Sequence, residues 1–363
     1  MIYLDANATE PLRPQARAAA LAAMEIGGNP SSVHQVGREA RKILEAARER
    51  VASFCATRPA DVIFCAGATE ADALAIHALG RDRPILIGAT EHDAIRAAAP
   101  HAEIIPVQPD GQVDLAALKT LLAAHPGALV CLMAANNETG ALHDIAAAAA
   151  ICAEAGALLH VDAVQAIGRC NQGWLALGAA SLALSGHKFG GPPGAGALVV
   201  RENLEIQALI KGGGQELGRR GGTPALPAIA GLAAALGTPY EAARIAAWRD
   251  EIEQAALAAG AVPIGAGAPR LPNTTCLALP GVRAETQLIG LDMAGICVSA
   301  GSACSSGKVT ASHVLLAMGQ GELAGQAIRV SLPWNADAQM VRAFQVAYEP
   351  MARRALRKTA QSA

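Results

Sequence analysis

At 363 residues the chain is long enough for two domains, each with a core of its own. Its composition, 52% hydrophobic with 3% aromatic and 17% charged residues, suits a globular α/β protein packed with small side chains and excludes a disordered chain. A formal net charge of −2 and the lack of any basic cluster give no reason to expect nucleic acid or an anionic membrane as partner.

The amino end, Met1-Ile2-Tyr3-Leu4-Asp5, has neither the basic start nor the apolar stretch of a signal or transit peptide. The longest uncharged run, residues 221–240, is interrupted by Gly and Pro and is too poor in large apolar residues to span a bilayer. A cytoplasmic protein is expected. Val36, Ala40, Ile43, Leu44, Ala47 and Val51 recur at helical spacing and predict an amphipathic helix. Compact apolar runs then follow at 62–64, 85–87, 128–133, 157–161, 181–184 and 197–200, separated by helical or turn sequence. Runs that are apolar throughout are what strands of a sheet covered on both faces look like, so the expected architecture is α/β with a mainly parallel sheet. After Trp248 the character changes. A helix leads to a strand at 273–279, a helix near 285–293, a Gly/Ser-rich stretch at 299–307, a strand at 327–332 and a last helix. These divide the chain into a large domain, 13–247, and a smaller one, 248–363, with residues 1–12 as a candidate to pack on the latter.

None of the eight cysteines forms a Cys-x-x-Cys pair, so zinc-ribbon and thioredoxin readings gain no support and no metal site is expected. Cys131, Cys152 and Cys297 lie in apolar stretches and read as small buried hydrophobes. Cys304 differs: it sits in a loop of glycine and serine.

In open α/β sheets ligands bind beyond the carboxyl ends of the strands, so the residue types there are informative. The run 128–133 leads into Asn136-Asn137-Glu138-Thr139-Gly140, and 157–161 ends at Asp162, with Gln165 three residues on. The run 181–184 ends in Ser185-Gly186-His187-Lys188, and 85–87 leads to Thr90-Glu91-His92. Singly, Asp162 reads equally well as a helix cap, His92 as a surface or capping histidine, and Lys188 as a solvated charge. Together they meet the needs of a pyridoxal cofactor: an amine for its aldehyde, a carboxylate for its ring nitrogen, donors for its phenolic oxygen, and a cradle for its phosphate. Gly67-Ala68-Thr69-Glu70, where a strand end enters a helix, offers that cradle.

Ser185-Gly186-His187-Lys188, followed by Gly191-Pro192 and Gly194-Ala195-Gly196, resembles the lysine motif of class V aminotransferase-fold enzymes. Tyr3-Leu4-Asp5-Ala6-Asn7-Ala8-Thr9, Gly28-Asn29-Pro30-Ser31-Ser32-Val33-His34, Gly67-Ala68-Thr69-Glu70, Asn136-Asn137-Glu138-Thr139-Gly140 and Val161-Asp162-Ala163-Val164-Gln165 resemble the cysteine desulfurase branch. The stretch Ser299-Ala300-Gly301-Ser302-Ala303-Cys304-Ser305-Ser306-Gly307 is similar to the catalytic-cysteine loop of group I desulfurases. The resemblance runs in order from residue 3 to about 332. It implies the pyridoxal-phosphate-dependent transferase fold, aspartate aminotransferase-like and of fold type I, with a mainly parallel mixed sheet and a smaller C-terminal α+β domain.

The resemblance also implies roles. Lys188 holds the cofactor's aldehyde and shuttles protons, Asp162 pairs with the ring nitrogen, and His92 stacks on the ring. Asn137 and Gln165 lie near the phenolic oxygen, and Ala68, Thr69, Ser185 and His187 surround the phosphate. Thr223 reaches the partner's phosphate in a homodimer. Arg329 clamps the carboxylate of L-cysteine, with Asn137 as a second substrate contact. Cys304 takes the sulfur as a persulfide, leaves L-alanine, and passes the sulfur to an acceptor such as an iron–sulfur cluster scaffold protein. A selenocysteine lyase and a class V aminotransferase are the alternatives. Two departures stand out: Glu10 where a threonine is common, and Gly190, smaller than the residue often found after the lysine. Neither touches an implied chemical role.

Overall fold

A computed structural model describes residues 1–170, 173, 175–301 and 310–362, with side chains as far as 357. The chain starts with β1 (Ile2–Tyr3) and two helices, Pro14–Ile26 and Gln35–Phe54. The second is the predicted amphipathic helix and buries Ala40, Leu44, Ala47 and Val51, while Val36 in its first turn is left exposed.

The main sheet comprises β2 (Val62–Cys65), β3 (Ile85–Gly88), β4 (Glu103–Ile105), β5 (Leu129–Met133), β6 (Leu158–Asp162), β7 (Ser181–Ser185) and β8 (Gly196–Val200). Its strand order is β2-β8-β7-β6-β5-β3-β4, parallel except for β8, which runs antiparallel to both neighbours. Side chains alternate between two buried faces. Phe64, Leu86, Val130, Val161, Leu184 and Val199 face one core, against the helices Pro14–Ile26, Gln35–Phe54 and Leu226–Ala235. Ile63, Ile87, Cys131, Ala183 and Leu198 face the other, against the helix Ala68–Leu79. Burial on both faces is why each strand reads as an unbroken apolar run. Only β4 escapes that pattern; it is a three-residue edge strand with Glu103 and Ile104 exposed.

A second, antiparallel sheet has the order β12-β13-β10-β9, built from β9 (Val262–Ile264), β10 (Thr274–Ala278), β12 (Ser299–Ala300) and β13 (Ala327–Ser331). Between them β11 (Ile296–Cys297) pairs in parallel with β1. The helices Ala242–Ala258, Ala284–Asp292 and Ala338–Ser362 pack around a core that includes Leu4, Ile245, Ile252, Ile328, Phe344 and Tyr348. Among the described residues no helix is long and apolar enough to cross a membrane.

Two consequences position the site. Because β3, β5, β6 and β7 are parallel neighbours, their carboxyl ends share one edge. The segment after β1 is sewn to the second sheet, since Ala6 N–H donates to Ser331 O at 3.0 Å and Asn7 N–H to Ser331 Oγ at 3.0 Å. It then passes over that edge.

Candidate active site

A cavity of about 480 Å³ opens at the shared edge, lined by Lys188, Asp162, His92, Asn137, Gln165 and Arg329. Gly67, Ala68, Thr69, Ser185 and His187 line it as well. Every candidate named from the sequence thus meets at one place, apart from Thr223 and Cys304.

Lys188 ends the 3₁₀ turn Gly186–Lys188, which follows β7 directly. Its Nζ donates to the carbonyls of Asn7 at 2.8 Å and Ala8 at 3.1 Å. Burial, with Arg329 and Arg169 nearby, lowers its pKa to about 8. An amine so placed has a usable neutral fraction near physiological pH, as a nucleophilic lysine needs.

Asp162 ends β6, on the adjacent strand, with Oδ1 accepting from Val164 N–H at 3.0 Å. Burial first, then the neighbouring Asp72, raise its pKa to about 7. Behind it lies a buried chain: His160 Nε2 is 3.1 Å from Asp72 Oδ1, and His160 Nδ1 is 2.8 Å from Ser181 Oγ. Desolvation drives Asp72 up to about 8 and His160 down to about 4. Both groups are held neutral, so their contact is a hydrogen bond rather than an ion pair. The proton then sits on Asp72, and His160 donates from Nδ1 to Ser181. Glu91, fully buried, accepts from Met133 N–H at 2.8 Å, and burial raises its pKa well above the ordinary value.

The two asparagines divide the work. Asn136 is buried, and its Oδ1 accepts from Glu138 N–H, Thr139 N–H and Thr139 Oγ1, which fixes the turn. Asn137 is the one turned to the cavity. His92 caps the helix Asp93–Ala98, its Nδ1 accepting from Ala94 N–H at 3.1 Å, and also lines the cavity. The capping bond leaves the ring proton on Nε2. Arg329, on β13, donates to Asp5 Oδ1 at 2.6 Å and Asn137 O at 3.2 Å, while its buried Nε has no partner among the described residues.

At the other end of the cavity the helix Ala68–Leu79 begins with no side-chain cap, leaving first-turn N–H groups available to an anion. A Cβ on Gly67 would project into that cup and meet only Ser185 Oγ, at 3.8 Å. His187 Nδ1 lies 3.1 Å from Thr9 Oγ1, and burial, reinforced by Lys188, lowers its pKa to about 4, so it is a neutral ring.

Thr223 is exposed and lines an adjoining crevice with Phe64, Gly194 and Arg220, and that crevice shares Ala66 and Gly194 with the cavity. Its loop is tied down by Glu70, which receives Arg220 at 2.7 and 3.1 Å, and by Glu216, which receives Arg48 at 2.7 and 2.8 Å. Cys304 lies outside the described residues.

Several contributors went unseen in the sequence. Asn7 supplies the carbonyl that holds Lys188, and Asp72 lines the cavity from an apparently ordinary helix position. Gly190 has φ +94°, and a Cβ there would lie 2.5 Å from Arg13 Cγ, so the small residue is required. Glu10 corrects the expectation that it stands apart from the chemistry. It is buried and receives Arg169 at 3.0 Å, and Arg169 in turn donates to Gln165 Oε1 at 2.6 Å.

Pyridoxal phosphate asks for an amine, a carboxylate, neutral donors and an anion cup, and the cavity supplies all four in one enclosure. Arg329 Nε, without a partner among the described residues, adds a buried donor at the cavity wall. The residues present fit the group. Residues 2–344 match the aminotransferase class-V family. The chain is 42% identical to a cysteine desulfurase of Cereibacter sphaeroides, over 95% of this chain and 94% of the relative. It is 38% identical to an IscS-like cysteine desulfurase of Mycobacterium tuberculosis, over 88% of each. An X-ray structure of a NifS-like protein from Rickettsia africae superposes with a TM-score of 0.90 at 34% identity, covering 97% of this chain and 99% of that one.

Proposed function

This chain belongs to the class V aminotransferase family, and we propose that it acts as a cysteine desulfurase, taking sulfur from L-cysteine and releasing L-alanine. Its fold is that of the fold type I pyridoxal phosphate enzymes, and the family's members depend on that cofactor. The observation that carries the reading is the pairing of Lys188 and Asp162 from adjacent strands across one cavity, with an uncapped helix start beyond them.

When bound, pyridoxal phosphate supplies an electron-withdrawing ring that stabilises the negative charge left on removal of the substrate's α-proton. The protein's part is to place and protonate. Lys188 Nζ holds the cofactor and afterwards carries protons to and from substrate carbon. Asp162 would keep the ring nitrogen's proton in place, and His92, with Nε2–H free to donate, would be the aromatic group facing the ring. Gln165 and Asn137 address the phenolic oxygen. The N–H groups of Ala68 and Thr69, with Ser185 and His187, receive the phosphate. Arg329 and Asn137 take the substrate carboxylate, for which the guanidinium fork is suited. The Cys304 thiolate attacks the substrate's sulfur: an S–S bond forms, the Cβ–S bond breaks, and the carbon takes a proton. L-cysteine plus the Cys304 thiol thus gives L-alanine plus a Cys304 persulfide, with no external oxidant.

In the assembly we propose, Thr223 completes the phosphate site of a second copy, and the persulfide passes to an acceptor protein such as an iron–sulfur scaffold. We further propose two units. The helix Ala242–Ala258 runs through residue 247 and sends Ile245 into the C-terminal core, so the junction belongs just before Ala242 rather than at 247. Leu4 lies in that same core.

The test is direct. Incubated with L-cysteine and no keto acid, the loaded protein should yield alanine and a persulfide mapped to Cys304. Cys304→Ala should keep the cofactor's visible absorbance and release no sulfide in the presence of thiol. Alanine formed only when a keto acid is added, or full sulfide release by the variant, would refute the assignment.

A further inference from the structure

A buried charged chain runs from Glu10 in the amino-terminal segment to Gln165 at the cavity. Glu10 Oε1 accepts from Trp334 N–H at 2.7 Å, and Glu10 Oε2 accepts from Arg169 Nη2 at 3.0 Å. Both side chains are almost wholly excluded from solvent, at 2% and 1%. Arg169 Nη1 then donates to Gln165 Oε1 at 2.6 Å.

That last contact settles which way the Gln165 amide points. A guanidinium donates only, so the atom facing it has to be the amide oxygen. Gln165 is left with its NH₂ as the one face it can offer, and Nε2 donates to Asn7 O at 3.0 Å, the carbonyl that also holds Lys188 Nζ at 2.8 Å. One of the two amide protons is thereby spoken for, and the second is free for the cavity. Lys188 also feels Arg169's charge. The groups bearing on it are Arg329 and Arg169 on the cationic side, Asp162 and Asp5 on the anionic side, with His187 next to it.

We infer that Arg169, aligned by the buried carboxylate of Glu10, is a positioning residue: it commits Gln165 to donating toward the cofactor's phenolic oxygen and adds to the positive field that Arg329 exerts on Lys188. The inference rests on the cofactor reading above. Without Glu10, Arg169 carries an uncancelled charge. Without Arg169, Gln165 is free to flip, and Glu10 loses the cation that offsets its burial, so a cation bearing on Lys188 is gone while the buried acid is pushed further toward its neutral form.

The two losses act in opposite directions on one observable, the pH midpoint of the visible absorbance of the pyridoxal-phosphate-loaded protein. Arg169→Met should raise the midpoint by about one unit, since the proton on the cofactor-bound Lys188 nitrogen no longer faces that cation. Glu10→Gln should lower it by roughly half a unit. Arg169→Lys should return most of the Arg169→Met shift, because the charge returns even though the fork does not. If Arg169→Met does not fold, the downward shift in Glu10→Gln against near-native Arg169→Lys carries the proposal. Unmoved midpoints with only a lower melting temperature would overturn it and leave a purely structural ion pair. A wild-type protein that gains no visible absorbance with pyridoxal phosphate would sink the cofactor reading itself, a different outcome.

Discussion

Asp72→Asn tests the electrostatic logic beneath the site. Asp72, Asp162 and Glu91 are carboxylates whose folded pKa values burial lifts, to about 8 for Asp72, to about 7 for Asp162, and well above the ordinary value for Glu91. An acid with a raised folded pKa binds its proton more tightly in the folded state. Its contribution is complete below the unfolded pKa, near 4, and fades as pH rises to the folded value. Below pH 6.5 an opposing effect sets in, because His160 and His143, both lowered to about 4 by burial, resist the protonation that the unfolded chain accepts. Lys188, lowered to about 8, changes the balance only above that pH. The carboxylates therefore dominate between pH 6.5 and 8, where cofactor-free protein should lose stability as pH rises. A retained proton is worth about 1.4 kcal/mol per pH unit, so Asp72 amounts to at most about 2 kcal/mol over the window, with Glu91 acting in the same direction. With an unfolding entropy of roughly 2.1 cal/mol/K per residue, the Asp72 share is a fall of roughly 3 °C in Tm. Asn at position 72 reproduces the neutral donor that His160 Nε2 requires and cannot ionise. The variant should recover that share, leaving it more stable than wild type at pH 8. Thermal melts of both proteins at half-unit steps decide the matter. A charged Asp72–His160 pair would instead make the substitution cost about 3–5 kcal/mol at every pH. A uniformly lowered melting curve, or a wild-type Tm that rises from pH 6.5 to 8, refutes the neutral-pair reasoning.

Other expectations are simpler to check. Lys188→Ala should not develop the visible absorbance of lysine-bound cofactor on addition of pyridoxal phosphate, read in a spectrophotometer. Arg329→Gln removes a charge-assisted contact worth about 1.5–3 kcal/mol, so kcat/KM for L-cysteine should fall by roughly 10- to 150-fold, while the visible absorbance of lysine-bound cofactor still forms with its pH midpoint raised by loss of the cation. Gly190→Ala places a methyl against Arg13 in a left-handed backbone and should cost about 1–3 kcal/mol, seen as a lower denaturation midpoint.

The elements that could be read from the sequence are those with a strong local cause. Strands covered on both faces announce themselves as apolar runs, and so the six internal runs match β2, β3, β5, β6, β7 and β8. The edge strand β4 was silent because three residues with two facing solvent carry no such pattern. The same limit governs the site. Lys188, Asp162, Asn137 and His92 follow strand ends, where polar residues after apolar runs are conspicuous. Asp72 sits mid-helix next to Glu70 with nothing local to mark it as buried. Glu10 meets a partner 159 positions away, a pairing set by tertiary packing alone. The role of Thr223 was drawn from a motif, and within one chain it lines a crevice that adjoins the cavity at Ala66 and Gly194 rather than the cavity itself.

The segment from Ile2 to Ala8 ties two distant parts of the molecule with a short strand that closes in a turn at Ala6–Ala8. One end is paired to Ile296 and Ser331, and the other presents the carbonyls that grip the reactive amine. The same short stretch also offers Asp5 Oδ1 to Arg329, the arginine meant for substrate, so the substrate's cation and the reactive amine share one anchor within four residues of each other.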